Sequence, residues 1–133
     1  MVKETILIDT SLFIDYYRKK NKENTLLVEL AKKYDFAISV ITKFELLMGV
    51  KDKEERLFWQ SLFKDIIIFP LADKEVEMST EIMKHLRATN KLIGLQDIFI
   101  AATAIENRIS LATLNLKDFI KVPELKLISL PMR

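Results

Sequence analysis

The chain reads as an α/β protein with a parallel sheet covered by helices on both faces. Short aliphatic runs of strand length alternate with longer segments whose apolar residues recur at helical spacing. A parallel strand needs a crossover to reach its neighbour, and a helix lies between almost every pair of runs. The run "IIIF" at 66–69 is also continuously apolar, which suits a strand buried on both faces.

The first strand covers Thr5 to Ile8, and Leu12, Phe13, Tyr16 and Tyr17 then follow at helical spacing. "RKKNKEN" is a polar break before a second stripe of Leu26, Leu27, Leu30 and Ala31. "FAISVI", 36–41, is strand-like, and "TKFELLMG" makes a short helix ending at Gly49. "KDKEER" opens another helix through Leu57, Phe58, Ser61 and Leu62, and Pro70 closes the "IIIF" strand. Residues 74–88 form a long helix with Val76, Ile82, Met83 and Leu86 inward, broken by "ATNKLIG". The next helix, from Gln96 to Glu106, carries Ile98, Ala101, Ala102 and Ile105 at i, i+3, i+4 and i+7. "SLATL" and "LKLISL" are the last strands. Without a repeat or linker, residues 1–133 form a single domain.

Composition removes several chemistries. There is no cysteine, so disulfides, thiol nucleophiles and cysteine zinc sites are excluded. The one histidine, His85, leaves no imidazole pair for acid/base work, and two glycines cannot build a phosphate-cradling loop. A net charge of +2 argues neither for nor against nucleic acid. The leading apolar run stops at an acid, and nothing approaches the ~20 apolar residues of a membrane span. A cytoplasmic protein with no membrane partner is expected.

In parallel sheets ligands gather outside the carboxyl ends of the strands, so acids there are informative. Asp9 ends the first strand. Glu45 follows the second and shares an apolar helix face with Ile41 and Met48. Asp97 opens the helix "QDIFIAATAIE", and Asn115 and Asp118 follow "SLAT". Each has a structural reading: Asp9 as N-cap, Thr42 with Glu45 as a capping box, Asp97 as a partner of the helix dipole, Asp118 as a solvated loop acid. Together they crowd one edge of the sheet, where uncompensated carboxylates repel. A divalent cation relieves that cost. Oxygen ligands without His or Cys select Mg²⁺ or Mn²⁺. Such ions activate water and stabilise an in-line phosphoryl displacement, so metal-dependent phosphodiester cleavage fits the set best.

"LIDTSLFID", "SVITKFELLMG", "IGLQDIFIAATAIEN" and "LATLNLKDF" occur in the order and spacing of a PIN domain, and the chain resembles the VapC ribonuclease toxins of toxin–antitoxin pairs. The resemblance spans essentially the whole chain. It implies a three-layer α/β/α sandwich and Mg²⁺- or Mn²⁺-dependent endoribonuclease activity with Asp9, Glu45 and Asp97 as the acidic triad. Water would be the nucleophile, leaving 5′-phosphate and 3′-hydroxyl ends. A fourth carboxylate common in the family is replaced by Asn115, with Asp118 three residues on. Thr10 and Thr113 fit the hydroxyls that orient acids or water. The implied partners are an RNA substrate (tRNA or mRNA), a VapB-like antitoxin laying a helix on the first two helices and the 52–63 helix, and a second copy in a homodimer.

Other readings exist. A haloacid-dehalogenase-type enzyme needs D-x-D, and Ser11 stands at its second acid. A receiver needs an acid after the third strand, where Pro70 stands. A PIN-like module that binds RNA or protein without cutting, or a PIN nuclease of RNA maturation or decay, keeps the fold and changes the role. His85 and Asp15 carry no assigned role. Trp59 among Phe58, Phe63 and Phe69 reads as packing before base stacking. The cations of "YYRKKNKEN" and "KDKEER" read as a solvated face before a phosphate track.

Overall fold

A computed structural model describes residues 2–131. Four strands, β1 (Glu4–Ile8), β2 (Tyr34–Ser39), β3 (Ile67–Phe69) and β4 (Leu111–Ala112), form one sheet in the order β3-β2-β1-β4, every pair parallel. The register sets Glu4 beside Tyr34, Leu7 beside Leu111 and Ala37 beside Ile67, so all four strands finish along one edge. The segment expected as a last strand, "LKLISL", contributes a single parallel bridge, Leu127 to Leu111, extending the sheet by one short rung beyond β4.

Alternation along the strands builds two cores. Ile6, Ile8, Ile38 and Ala112 point to one face. There they meet α1 (Thr10–Arg18), α2 (Leu26–Ala31), α3 (Val40–Met48) and α4 (Lys53–Phe63) through Leu12, Phe13, Leu30, Leu46 and Trp59. Leu7, Ala37 and Leu111 point to the other face. They pack on α5 (Asp73–Ala88), α6 (Leu95–Glu106) and α7 (Leu116–Phe119) through Leu86, Ile98, Ala101 and Phe119. This is the expected three-layer α/β/α sandwich with a central parallel sheet.

Two expected burial patterns fail, each for its own reason. The run 66–69 is not buried on both faces: β3 is an edge strand, and Ile67 is 52% exposed. Its aliphatic character serves the one face that packs. On α5 the inner stripe is Glu75, Ser79, Ile82 and Leu86, and Val76 is 44% exposed, because a buried carboxylate holds the position an apolar residue was expected to fill. The second strand is also displaced, running 34–39, with Val40 and Ile41 already in α3.

Both long helices end in left-handed caps without glycine. After α5, Asn90 adopts φ 56° and Lys91 N donates to Leu86 O at 2.8 Å. After α6, Arg108 adopts φ 56° and Ile109 N donates to Ala104 O at 3.1 Å.

Candidate acidic site at the strand ends

The strand order reverses between β1 and β4, and at such a switch point the loops after the two strands diverge to leave a crevice. Asp9 stands there, 4% exposed, its backbone N donating to Ala112 O at 2.9 Å. It occupies the N-cap position of α1 but makes no side-chain cap hydrogen bond. Its Oδ2 instead accepts from the hydroxyls of Ser11 and Thr113, both at 2.7 Å. Thr113, wholly buried just past β4, also accepts from Asn115 N at 2.9 Å, and Ser11 Oγ accepts from Leu114 N at 3.1 Å. The carboxylate is thus locked to the β4 loop by hydroxyls whose own geometry is fixed.

Glu45 approaches from α3. The capping box with Thr42 is absent: Ser39 caps α3 through Ile41 N at 3.0 Å. Thr42 is buried, and Thr10 Oγ1 lies 3.0 Å from its hydroxyl while donating to Glu45 Oε1 at 2.7 Å. Thr10, on α1 beside Asp9, therefore ties the second acid to the first strand's end.

Asp97 lies in the first turn of α6. Burial and the charges of Asp9, Glu45 and Asp118 push its carboxyl up to about 6, against which the hydrogen bond from Asn115 acts weakly. Asn115 Nδ2 reaches Asp97 Oδ2 at 3.4 Å and Asp118 Oδ2 at 3.0 Å. Asp118 is drawn below the usual carboxylate range by Asn115 and by Lys121, whose ammonium stands 3.5 Å from Oδ1. So Asp9, Thr10, Glu45, Asp97, Thr113, Asn115 and Asp118 share one crevice. Within it the Asn115 amide nitrogen donates to Asp97 and Asp118, and Asp118 pairs with Lys121.

Among the described residues, no group of three or more His, Cys, Asp or Glu side chains is drawn together so that it could hold a metal ion. The donor set nonetheless suits a hard cation. Asp9 Oδ1, Glu45 Oε2 and Asp97 Oδ1 accept no hydrogen bond among the described residues, and all are oxygens. Mg²⁺ commonly takes one or two carboxylates and keeps several waters, so a closed cage is not required. Asp9 and Asp97 would hold it, with Glu45 reaching it directly or through water.

Sequence reasoning missed Ser11 and Thr42 as partners of the acids. The hydroxyl-rich "DTS" was the available signal. It also missed Glu75, 1% exposed, whose Oε1 accepts from Ala72 N at 3.0 Å and Oε2 from Asn107 Nδ2 at 3.2 Å. Trp59 is packing, as expected, edge-on to Phe13 at 6.2 Å and to Phe58 at 5.0 Å. His85 is exposed on α5. Lys22 is not a free phosphate contact: its ammonium caps α1 on the carbonyls of Tyr16, Tyr17 and Lys19 at 3.2, 2.7 and 3.0 Å. Tyr16, Leu27, Phe36, Leu57 and Leu62 line an apolar depression of about 670 Å³ across α1, α2 and α4. Among the described residues no helix is long and apolar enough to cross a membrane.

A parallel three-layer sandwich with carboxylates fixed by hydroxyls at its switch point defines a class of α/β protein with a strand-end acidic site. Residues 6–125 match the family described as PIN domain. The chain is 32% identical to "Ribonuclease VapC" of Rickettsia bellii, covering 96% of this chain and 98% of that one. It is 34% identical to "Ribonuclease VapC1" of Methanocaldococcus jannaschii, covering 90% and 82%. The VapBC2 structure from Rickettsia felis, bound to a DNA fragment from its promoter, superposes with TM-score 0.78 at 28% identity, covering 93% of this chain and 97% of that one. The VapBC-1 structure from nontypeable Haemophilus influenzae shares the fold with TM-score 0.82 at 19% identity, covering 94% and 97%. The chain belongs to the PIN-domain family, in its VapC branch.

Proposed function

We propose that the protein is a Mg²⁺- or Mn²⁺-dependent endoribonuclease, the toxin of a VapBC-type pair. The observation that carries this reading is the convergence of Asp9, Glu45 and Asp97 from three different elements on one switch-point crevice, where burial and the neighbouring carboxylates raise Asp97 to about 6. Curated relatives that the chain matches over nearly its whole length bear the name ribonuclease, which supports RNA as substrate.

When bound, the cation lowers the pKa of water and neutralises charge on the phosphate oxygens. The chain's residues do the positioning. Ser11 and Thr113 hold Asp9 by Oδ2 and leave Oδ1 for the cation. Thr10 holds Glu45 by Oε1 and leaves Oε2 to orient the attacking water. Asp97, ionised at neutral pH, supplies the second direct ligand, and the Asn115 amide keeps its Oδ2 turned toward the α7 loop. Asn115 stands where the family carries a fourth carboxylate, and Asp118 pairs with Lys121, which favours one cation over two.

The apolar depression over α1, α2 and α4 is suited to an amphipathic helix of a VapB-like antitoxin. The Rickettsia felis neighbour, a VapBC complex, supports a partner of that kind. A homodimer follows by the same analogy.

The test is a Mn²⁺ or Mg²⁺ titration of cleavage of a tRNA and mRNA pool by wild type and Asp97→Asn, with circular dichroism on both. Cation-dependent cutting that vanishes in a folded variant is expected. Absence of cutting in both would leave a PIN-like binding module as the better reading.

A further inference from the structure

A cleft of about 290 Å³ opens between α1, α3 and α4, and Glu45 forms part of its wall. The cleft thus shares that residue with the acidic crevice. Its other polar groups come from residues outside the acid cluster: Tyr17, Arg18, Lys51 and Glu55. Glu55 is held firmly. Its Oε1 accepts from the backbone N of Lys51 at 3.1 Å, and its Oε2 from the Trp59 indole at 3.4 Å. Its own N–H is taken by Asp52 Oδ1 at the cap of α4, so the carboxylate is fixed from both sides. A carboxylate has about four acceptor positions, and each oxygen of Glu55 keeps one for a ligand.

The surroundings narrow what that ligand is. Burial and the charges of Glu55, Asp52 and Glu54 push the Tyr17 phenol up, so it stays a hydroxyl at neutral pH. Arg18 and Lys51 form no ion pair among the described residues. A fixed pair of acceptors beside two unpaired cations suits a neutral group that offers two adjacent N–H donors and is tethered to an anion. A cationic side chain with the same donors would meet Arg18 and Lys51. Among the RNA bases only guanine presents adjacent N–H donors, at N1 and N2. In adenine and cytosine the amino group lies beside a ring acceptor, and the single N–H of uracil lies between two carbonyls. Proteins read single-stranded RNA through such Watson–Crick edges of splayed bases.

We propose that this cleft is a base subsite seating a guanine next to the scissile phosphate, with Glu55 accepting from its N1–H and N2–H and Arg18 and Lys51 meeting the backbone phosphates. The placement beside a scissile phosphate rests on the ribonuclease reading above.

Trp59 is the only tryptophan and lines the cleft, so its fluorescence reports occupancy independently of cleavage. Wild type and Glu55→Gln, both checked by circular dichroism, are titrated with guanosine 5′-monophosphate, inosine 5′-monophosphate, which lacks the N2 amine, and arginine amide. The expected result is about tenfold tighter binding of the guanosine nucleotide than of the inosine nucleotide by wild type, and a ratio near one in Glu55→Gln. Equal response to both nucleotides, no response at millimolar concentration, or tighter binding of arginine amide overturns the subsite. Mapping of 5′ ends on a random RNA pool then reads its position. A guanine at one fixed offset from the cut supports the assignment, and cuts without base preference overturn it. If the guanosine–inosine difference holds while the pool remains uncut, the guanine site stands and the ribonuclease reading falls.

Discussion

Glu75 and Asp97 occupy the same place on successive helices, the third residue of α5 and of α6, and they have opposite fates. Glu75 is more deeply buried, yet its two oxygens take donors from Ala72 N and Asn107, with Lys74 3.8 Å away. Asp97 is partly exposed and faces three other carboxylates, with one long bond from Asn115 for relief. A helix N-terminus favours a carboxylate at either position. For Asp97 burial and like charge win over it. The contrast separates a structural acid from a candidate functional one: what matters is whether the chain supplies the compensation or leaves it to be supplied from outside.

The largest expected effect follows from that. Asp97→Asn should lower cation-dependent RNA cleavage by about 100-fold or more, because it removes a direct ligand. The same substitution should raise stability in cation-free buffer by about 1 kcal/mol. Full conversion of the shift would be larger, and solvent screening of a partly exposed group reduces it. Equal cleavage by the two proteins, or a fall in melting temperature, would break the comparison.

Glu75→Ala should do the reverse. It leaves the Ala72 N–H and one of the two Asn107 amide hydrogens without their acceptors, at a cost of about 2–3 kcal/mol. Cleavage per folded molecule should be unchanged. Urea unfolding beside initial rates below the transition checks both halves.

The pH dependence sharpens the contrast further. The folded-state value of Asp97, about 6, lies above that of an unfolded aspartate. The native state therefore binds the extra proton, and the stability this group contributes is present in acid and lost as pH rises from about 4 through about 6. The stability gap between Asp97→Asn and wild type should open over that window and stay level above it. Saturating Mg²⁺ should reverse its sign at neutral pH, since a ligand at 100 times its Kd adds about 2.7 kcal/mol to wild type alone. Cleavage should fall as pH drops below about 6. Thermal melts at several pH values, with and without the cation, read all of this.

Much of this was legible in the sequence, for local reasons. Asp9, Glu45 and Asp97 were recoverable because a strand end or an apolar helix face is a poor place for an acid, and the four motif blocks fixed their order. Glu75 was missed because "DKEVE" reads as an ordinary solvated first turn. Its burial depends on Asn107, 32 residues away, which local pattern cannot reveal. The exposed face of β3 was missed because edge position is set by the long crossover from β3 to β4, not by the composition of the strand. The hydroxyl partners were half legible: "DTS" marks the place, but Thr113 reaches Asp9 across 104 residues.

The smallest effect concerns the cap that follows α6. Arg108 holds φ 56°, where the Cβ crowds the following carbonyl oxygen, at a cost of roughly 1 kcal/mol. Arg108→Gly removes that crowding but loosens the unfolded chain, so the net gain should be about 0.5 kcal/mol. Asn90, at the same φ after α5, is better suited to the conformation, and Asn90→Gly should gain less. Both caps follow the helices whose third residues are compared above, so neither change should alter the pH window of Asp97 or the cleavage rate. A shift in that window with Arg108→Gly would mean that the two ends of α6 are mechanically coupled, and that Asp97 owes part of its position to the strain at the far cap.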